Sequence, residues 1–141
     1  MNSPARAAVG NLVNELVLVD DDKLTVEIVS WIVKKSSYQS TLFTNADEAL
    51  AYLRINTPKL LVVDFYMPQI TGLEFITELH ACSDLSRTSV YLCSAVSPSF
   101  EDSKLLASMN VQTLEKQLIC DRKQLGVLLE EKLEIIPAKI I

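Results

Sequence analysis

The chain has 141 residues, of which 49% are hydrophobic and 22% are charged, and its formal net charge is −5. This length suits a single domain of the usual size, roughly 100–200 residues, and the acidic balance with scattered basic residues argues against a nucleic-acid surface. No run approaches the roughly 18 apolar residues of a membrane span, so we expect a cytoplasmic domain that binds neither nucleic acid nor a membrane.

Short apolar runs alternate along the chain with segments of helical periodicity. The runs predict five strands, over residues 15–20, 38–44, 59–64, 89–95 and 111–116. The periodic segments predict five helices, over residues 23–35, 45–55, from residue 73 onward, 98–109 and 121–134. We expect a flexible lead-in at residues 1–12, one domain at 13–134 and a tail at 135–141.

The first helix is predicted from apolar residues at three-to-four spacing, with Asp22 before it as the N-cap. Leu24, Ile28, Trp31 and Ile32 supply that spacing. We expect these residues to face the core, Trp31 included.

Strands that lack polar alternation and are separated by helices indicate a parallel sheet covered on both faces. The predicted fold class is therefore a doubly wound α/β domain of the flavodoxin-like type, with strand order 2-1-3-4-5 and five helices. Ligands of such sheets bind beyond the carboxyl ends of the strands, where the strand order reverses.

Polar side chains stand at the carboxyl ends of four predicted strands: Asp20 with Asp21, Asp64, Ser94 and Lys116. The first and third strands are neighbours in this order, so the three carboxylates converge. Like charges at such distances raise one another's pKa. A hard divalent cation removes the conflict, and oxygen ligands favour Mg²⁺.

A carboxylate beside Mg²⁺ can attack phosphorus and form an acyl phosphate, provided that the charge on the transferring oxygens is neutralised. Asp64 is the predicted nucleophile because it stands alone at the tip of its strand. Lys116 and Ser94 can bind the other phosphoryl oxygens.

The segments "VLVDDD", "LLVVDFYMPQITGLEF", "YLCSA" and "LEK" resemble the receiver domain of bacterial two-component response regulators. The resemblance runs from about residue 15 to residue 133. Its motifs are specific: two acidic residues after the first strand, D-x-x-M-P-x-x-x-G after the third, S-A after the fourth and lysine after the fifth.

The resemblance implies a phosphorylation-dependent switch, with Asp64 as phosphoacceptor, Lys116 paired with the phosphoryl group and Ser94 moving toward it. The implied metal ligands are Asp20 (partly through water), Asp21, Asp64 and the backbone carbonyl of Tyr66. Such a domain assists its own phosphorylation and slow dephosphorylation without being a turnover enzyme.

The resemblance also implies partners. The phosphoryl donor would be a phosphohistidine on a sensor histidine kinase or on a histidine phosphotransfer protein. The output would be a downstream protein or an output domain missing here, and a homodimer would form through the face made by the fourth helix, the fifth strand and the fifth helix.

Four positions depart from the family pattern. Gln117 replaces the usual proline after the lysine, and Thr113 replaces the aromatic residue of the fifth strand. Tyr66 and Val96, each two residues past a site residue, are large and apolar enough to exclude water, which predicts slow self-dephosphorylation. The alternative that these departures motivate is a pseudo-receiver that serves as a constitutive protein-binding module.

Other readings of the same residues are weaker. The acidic run could be only a helix cap, a role that we keep for Asp22 alone. A phosphatase of the haloacid dehalogenase type needs a second aspartate at position 66, which is Tyr66. Cys82, Cys93 and Cys120 are widely spaced, so neither a disulfide framework nor a zinc site is expected.

Overall fold

The computed structural model describes residues 12–135, so most of the predicted lead-in and tail lies outside the described part of the chain. The strands are β1 (Leu12–Val19), β2 (Ser40–Phe43), β3 (Thr57–Asp64), β4 (Ser89–Ser94) and β5 (Val111–Glu115). The helices are α1 (Lys23–Lys35), α2 (Ala46–Leu53), α3 (Gly72–Cys82), α4 (Phe100–Ser108), α5 (Lys116–Ile119) and α6 (Arg122–Lys132).

The five strands form one parallel sheet in the order β2-β1-β3-β4-β5, which confirms the predicted fold class and topology. The strand order reverses at β1, which lies between β2 and β3. Val19 pairs in register with Val63, and Asp64 pairs with Cys93. The carboxyl ends of β1 and β3 therefore lie side by side.

Helices cover both faces of the sheet, and alternate residues of each strand point to opposite faces. Val17, Val19, Leu61 and Val63 face α2, α3 and α4 in one hydrophobic cluster. Leu16, Leu18, Leu60 and Val62 face α1 and α6 in the other. This two-sided burial explains why the inner strands β1, β3 and β4 are almost continuously apolar near their carboxyl ends.

The predicted core face of α1 is wrong in part. Leu24 and Trp31 are 65% and 53% exposed, whereas the buried residues of the helix are Thr25, Val29, Ile32 and Val33. Those four positions follow the i, i+4, i+7, i+8 pattern of an inward stripe. The stripe was missed because it begins with a threonine, a polar residue.

All of the helices except the short α5 begin at a side-chain cap. Asp22 accepts a hydrogen bond from the backbone N–H of Leu24, which confirms the predicted N-cap of α1, and Asn45 accepts one from the backbone N–H of Glu48. At α3, the Thr71 hydroxyl and the Glu74 carboxylate form a reciprocal capping box. Such caps satisfy backbone donors that the first turn leaves unpaired.

The last strand ends one residue earlier than predicted, at Glu115. Lys116 opens the short helix α5, a sixth helix that the periodicity did not predict. A four-residue helix is too short to show a hydrophobic period. Among the described residues, no helix has the length and apolar character needed to span a membrane.

Candidate functional site

Three carboxylates meet at the carboxyl end of the sheet, where β1 and β3 end. Asp20 directly follows β1, and Asp64 is the last residue of β3. Carboxylate oxygens of Asp20, Asp21 and Asp64 lie within 4.8 Å of one another. The structure therefore brings together the three acidic residues singled out from the sequence.

The three consecutive aspartates after β1 do different things. Asp20 is fully buried, whereas Asp21 is exposed beside it. Asp22 turns away from the cluster and caps α1, and its backbone N–H donates a hydrogen bond to Oδ1 of Asp20 at 2.9 Å. The turn thus fixes Asp20 and leaves Asp21 at the solvent side of the site.

Lys116 reaches the cluster from the start of α5. Its Nζ lies 3.1 Å from Oδ2 of Asp20 and 3.4 Å from Oδ1 of Asp64. It donates its hydrogen bond to Oδ1 of Asp20 at 3.3 Å. One ammonium group therefore bridges the two buried carboxylates of neighbouring strands.

The electrostatics of the cluster are those of crowded, desolvated carboxylates. Burial, reinforced by the negative charge of Asp20, raises the pKa of Asp64 to about 6 despite the opposing effect of Lys116. Burial also raises the pKa of Asp20. For Lys116, burial alone would lower the pKa, but the hydrogen bond and charge of Asp20 together with Asp64 raise it above its ordinary value.

One oxygen of the cluster lacks a hydrogen-bond donor. Among the described residues, no group donates a hydrogen bond to the buried Oδ2 of Asp20, although the Lys116 ammonium lies near it. That ammonium offsets part of the negative charge, but three carboxylates face one ammonium group in this cluster. The surplus of negative charge and the all-oxygen donor set fit a hard cation such as Mg²⁺.

Ser94, at the end of β4, is buried, and its hydroxyl is hydrogen-bonded within the loop that follows β4. Its hydroxyl donates a hydrogen bond to the Val96 carbonyl at 2.6 Å and accepts one from the Val96 N–H at 3.1 Å. The hydroxyl would have to leave the Val96 carbonyl in order to donate to another group at the site.

The loop after β3 carries Tyr66, whose side chain is 61% exposed and packs against the ring of Phe65. Val96 is exposed to a similar extent. Thr113 is exposed on β5 and lines, with Ser94 and Pro98, a cleft of about 570 Å³. The small side chain of Thr113 leaves this cleft open.

Gly72, the glycine that ends the D-x-x-M-P-x-x-x-G motif, is also part of the site. A Cβ at this position would stand 2.4 Å from the carbonyl oxygen of Asp64 and 2.5 Å from Leu92. The N–H of Gly72 donates a hydrogen bond of 2.7 Å to the Phe65 carbonyl. Glycine therefore allows the start of α3 to pack directly on the strand end that carries Asp64.

Comparison with known proteins places this geometry in a family. The family model described as the response regulator receiver domain matches residues 16–128. The two-component response regulator ARR17 of Arabidopsis thaliana is 28% identical over 115 residues, which cover 73% of this chain and 75% of that protein. An uncharacterized 14.6 kDa protein of Leptolyngbya boryana is 37% identical over 62 residues, which cover 44% of this chain and about half (47%) of that protein.

Solved structures show the same fold. The chemotaxis protein CheY4 of Vibrio cholerae superposes with a TM-score of 0.73 at 21% identity, covering 86% of this chain and 99% of that one. The family match spans most of the described residues and includes the carboxyl ends of all five strands. The chain belongs to the response regulator receiver domains of two-component systems.

Proposed function

We propose that this receiver domain is a phosphorylation-dependent signalling switch that takes a phosphoryl group on Asp64 from a phosphohistidine. The observation that carries the proposal is the cluster of Asp20, Asp21 and Asp64 with Lys116 bridging two of its members. A purely structural domain of this fold gains nothing from crowding three carboxylates at one strand edge.

In the proposed reaction, an oxygen of Asp64 forms a bond to phosphorus while the bond between phosphorus and the donor's imidazole nitrogen breaks. Without a metal, burial and the charge of Asp20 raise the pKa of Asp64 to about 6, and a bound Mg²⁺ would favour the ionised carboxylate that attacks. The proposed Mg²⁺ ligands are Asp20, in part through water, Asp21, Asp64 and the Tyr66 carbonyl. The metal supplies charge neutralisation for the phosphoryl oxygens.

Lys116 and Ser94 then have roles on the phosphorylated form. Lys116 exchanges its contact with the Asp64 carboxylate for one with a phosphoryl oxygen, as a charge-assisted hydrogen bond. Ser94 gives up its hydrogen bond to Val96 and donates to another phosphoryl oxygen. The β4–α4 loop must follow Ser94, so a local bond change alters the surface beside β5.

The proposed partners follow from this chemistry. The donor is a sensor histidine kinase or a histidine phosphotransfer protein, and the output is a downstream protein or an output domain. The proposed homodimer forms through α4, β5 and α6, on the surface beside β5. These elements are the predicted fourth helix, fifth strand and fifth helix.

The proposed domain comprises residues 13–134, and the proposed location is the cytoplasm. As a switch, it is not a turnover enzyme.

A second candidate function keeps the fold without the chemistry. Thr113 leaves an open cleft beside Ser94 and lacks the ring that would couple this loop to β5. A pseudo-receiver that binds a partner constitutively through this surface is therefore the alternative.

Intact-mass spectrometry after incubation with phosphoramidate or acetyl phosphate and Mg²⁺ separates the two functions. The switch predicts a gain of one phosphoryl mass in the wild type and none in Asp64→Asn. No gain in a folded wild-type sample, even with histidine kinases as donors, would support the constitutive binding module.

A further inference from the structure

The lysine of the site stands on a helix with weak local support. α5 has only four residues, and Glu115 at its start makes no side-chain capping hydrogen bond. The peptide bond after Lys116 is trans, as are all others in the described part of the chain. Local hydrogen bonding therefore does not explain why Lys116 is held over Asp20 and Asp64.

The far end of α5 is anchored in the core. Ile119 is 1% exposed and lies in the hydrophobic cluster with residues of β1, α1 and α6. Cys120 follows it and packs against the same cluster. These two residues fix where the helix ends, three to four positions after Lys116.

A chain of hydrogen bonds leads from the buried side of α1 to the carboxylate cluster. Thr25 Oγ1 donates a hydrogen bond of 2.9 Å to Oδ2 of Asp22. The Asp22 N–H in turn donates to Asp20, which also binds Lys116.

The two ends of α5 are thus held separately. The Lys116 ammonium is bound to Asp20, and Ile119 is buried in the core. We propose that Thr25 is a positioning residue: it fixes Asp22 and, through the Asp22 N–H, Asp20, so that the Lys116 ammonium is held at Asp20 and Asp64. These hydrogen bonds take the place of a proline after the lysine, where this chain has Gln117.

Thr25 is suited to this role because its hydroxyl can donate a hydrogen bond. That donor is used by the Asp22 carboxylate. Thr25 is only 4% exposed, so a hydroxyl there needs partners, and valine would keep the shape while removing them.

The test rests on the proposed function for one of its two readouts. The first is the rate of phosphorylation by phosphoramidate with Mg²⁺ in Thr25→Val, Thr25→Ser and the control Thr88→Val. Thr88 is a buried threonine at the other end of the sheet, whose hydroxyl donates to the Pro58 carbonyl at 2.7 Å. The phosphorylation rate of Thr25→Val should be about tenfold lower than that of the wild type, because small misplacements of a charged group slow the reaction. Thr25→Ser should restore the rate, and Thr88→Val should not lose it.

A double-mutant cycle with Lys116→Met shows whether the effect of Thr25→Val on the phosphorylation rate passes through the lysine. If Thr25 acts through the lysine, Thr25→Val costs nothing further in the Lys116→Met background. An equal loss in both backgrounds would overturn the proposal, since the effect would then not pass through Lys116.

The second readout does not depend on phosphorylation. Carbon-13 relaxation of the Lys116 Cε group should show a restricted side chain in the wild type and in Thr88→Val, and a mobile one in Thr25→Val. Unchanged mobility in Thr25→Val would overturn the positioning role. If the wild type accepts no phosphoryl group at all, the proposed function fails, and the relaxation data alone decide on Thr25.

Discussion

At the scale of single residues, Asp64 combines a reactive position with an unfavourable environment. Its pKa is about 6 in the folded protein against an ordinary value of 3.8, chiefly because of burial. The folded state therefore binds more protons than the unfolded state between these pH values, and stability falls as the pH rises through that window. Two pKa units correspond to about 2–3 kcal/mol.

Asp64→Asn removes this carboxylate, so it should stabilise the metal-free protein by up to about 2–3 kcal/mol at pH 8 and change it little at pH 4. Urea denaturation of both proteins at the two pH values measures the difference. An equal gap between wild type and variant at both pH values would contradict the assignment of a raised pKa to Asp64.

Tyr66 and Val96 carry a second prediction at this scale. They lie two residues past Asp64 and Ser94, and both are large apolar side chains at the exposed side of the site. Because they limit the approach of water to an acyl phosphate, we expect a phosphorylated form that lives much longer than seconds. Tyr66→Asn with Val96→Ala should shorten its lifetime, whereas Trp31→Ala, an exposed aromatic residue on α1, should not. A wild-type half-life of seconds would refute this prediction.

At the scale of elements, the junction of β3 with α3 sets the position of Asp64. Gly72→Ala places a methyl group 2.4 Å from the Asp64 carbonyl, so the helix or the strand end must shift. Overpacking of this kind costs typically about 1–3 kcal/mol. Gly126→Ala in α6 is the matched control, because its Cβ meets nothing within 4 Å and alanine favours a helix.

Urea denaturation should therefore show a loss of stability for Gly72→Ala and a small gain for Gly126→Ala. Equal effects of the two substitutions would mean that Gly72 is not required by the close approach of α3 to β3.

The elements also show where sequence patterns stop being informative. The caps Asp22 and Asn45 were predictable because they precede helices with a clear period. The inward face of α1 was not, since Leu24 and Trp31 fit a helical period as well as the true stripe does. Thr25 can lie on that stripe because its hydroxyl bonds to the carboxylate of Asp22, three residues before it, a side-chain contact that hydrophobic periodicity does not contain.

At the scale of the whole molecule, the fold followed from its continuously apolar strands. A sheet buried on both faces needs such strands, and the parallel order then brings the ends of β1 and β3 together. The convergence of the acidic residues was therefore predictable. The bridging geometry of Lys116 and the hydrogen bonds of Ser94 to Val96 were not, because they depend on the short helix α5 and on the conformation of the β4–α4 loop.

The most direct test of the account is to locate the phosphoryl group. The protein is incubated with phosphoramidate and Mg²⁺, the acyl phosphate is reduced with borohydride, and the peptides are sequenced by mass spectrometry. The account predicts homoserine at position 64, dependent on Mg²⁺ and absent from unphosphorylated protein. Modification at Asp20 or Asp21, or at none of the three aspartates in a folded sample, would contradict it.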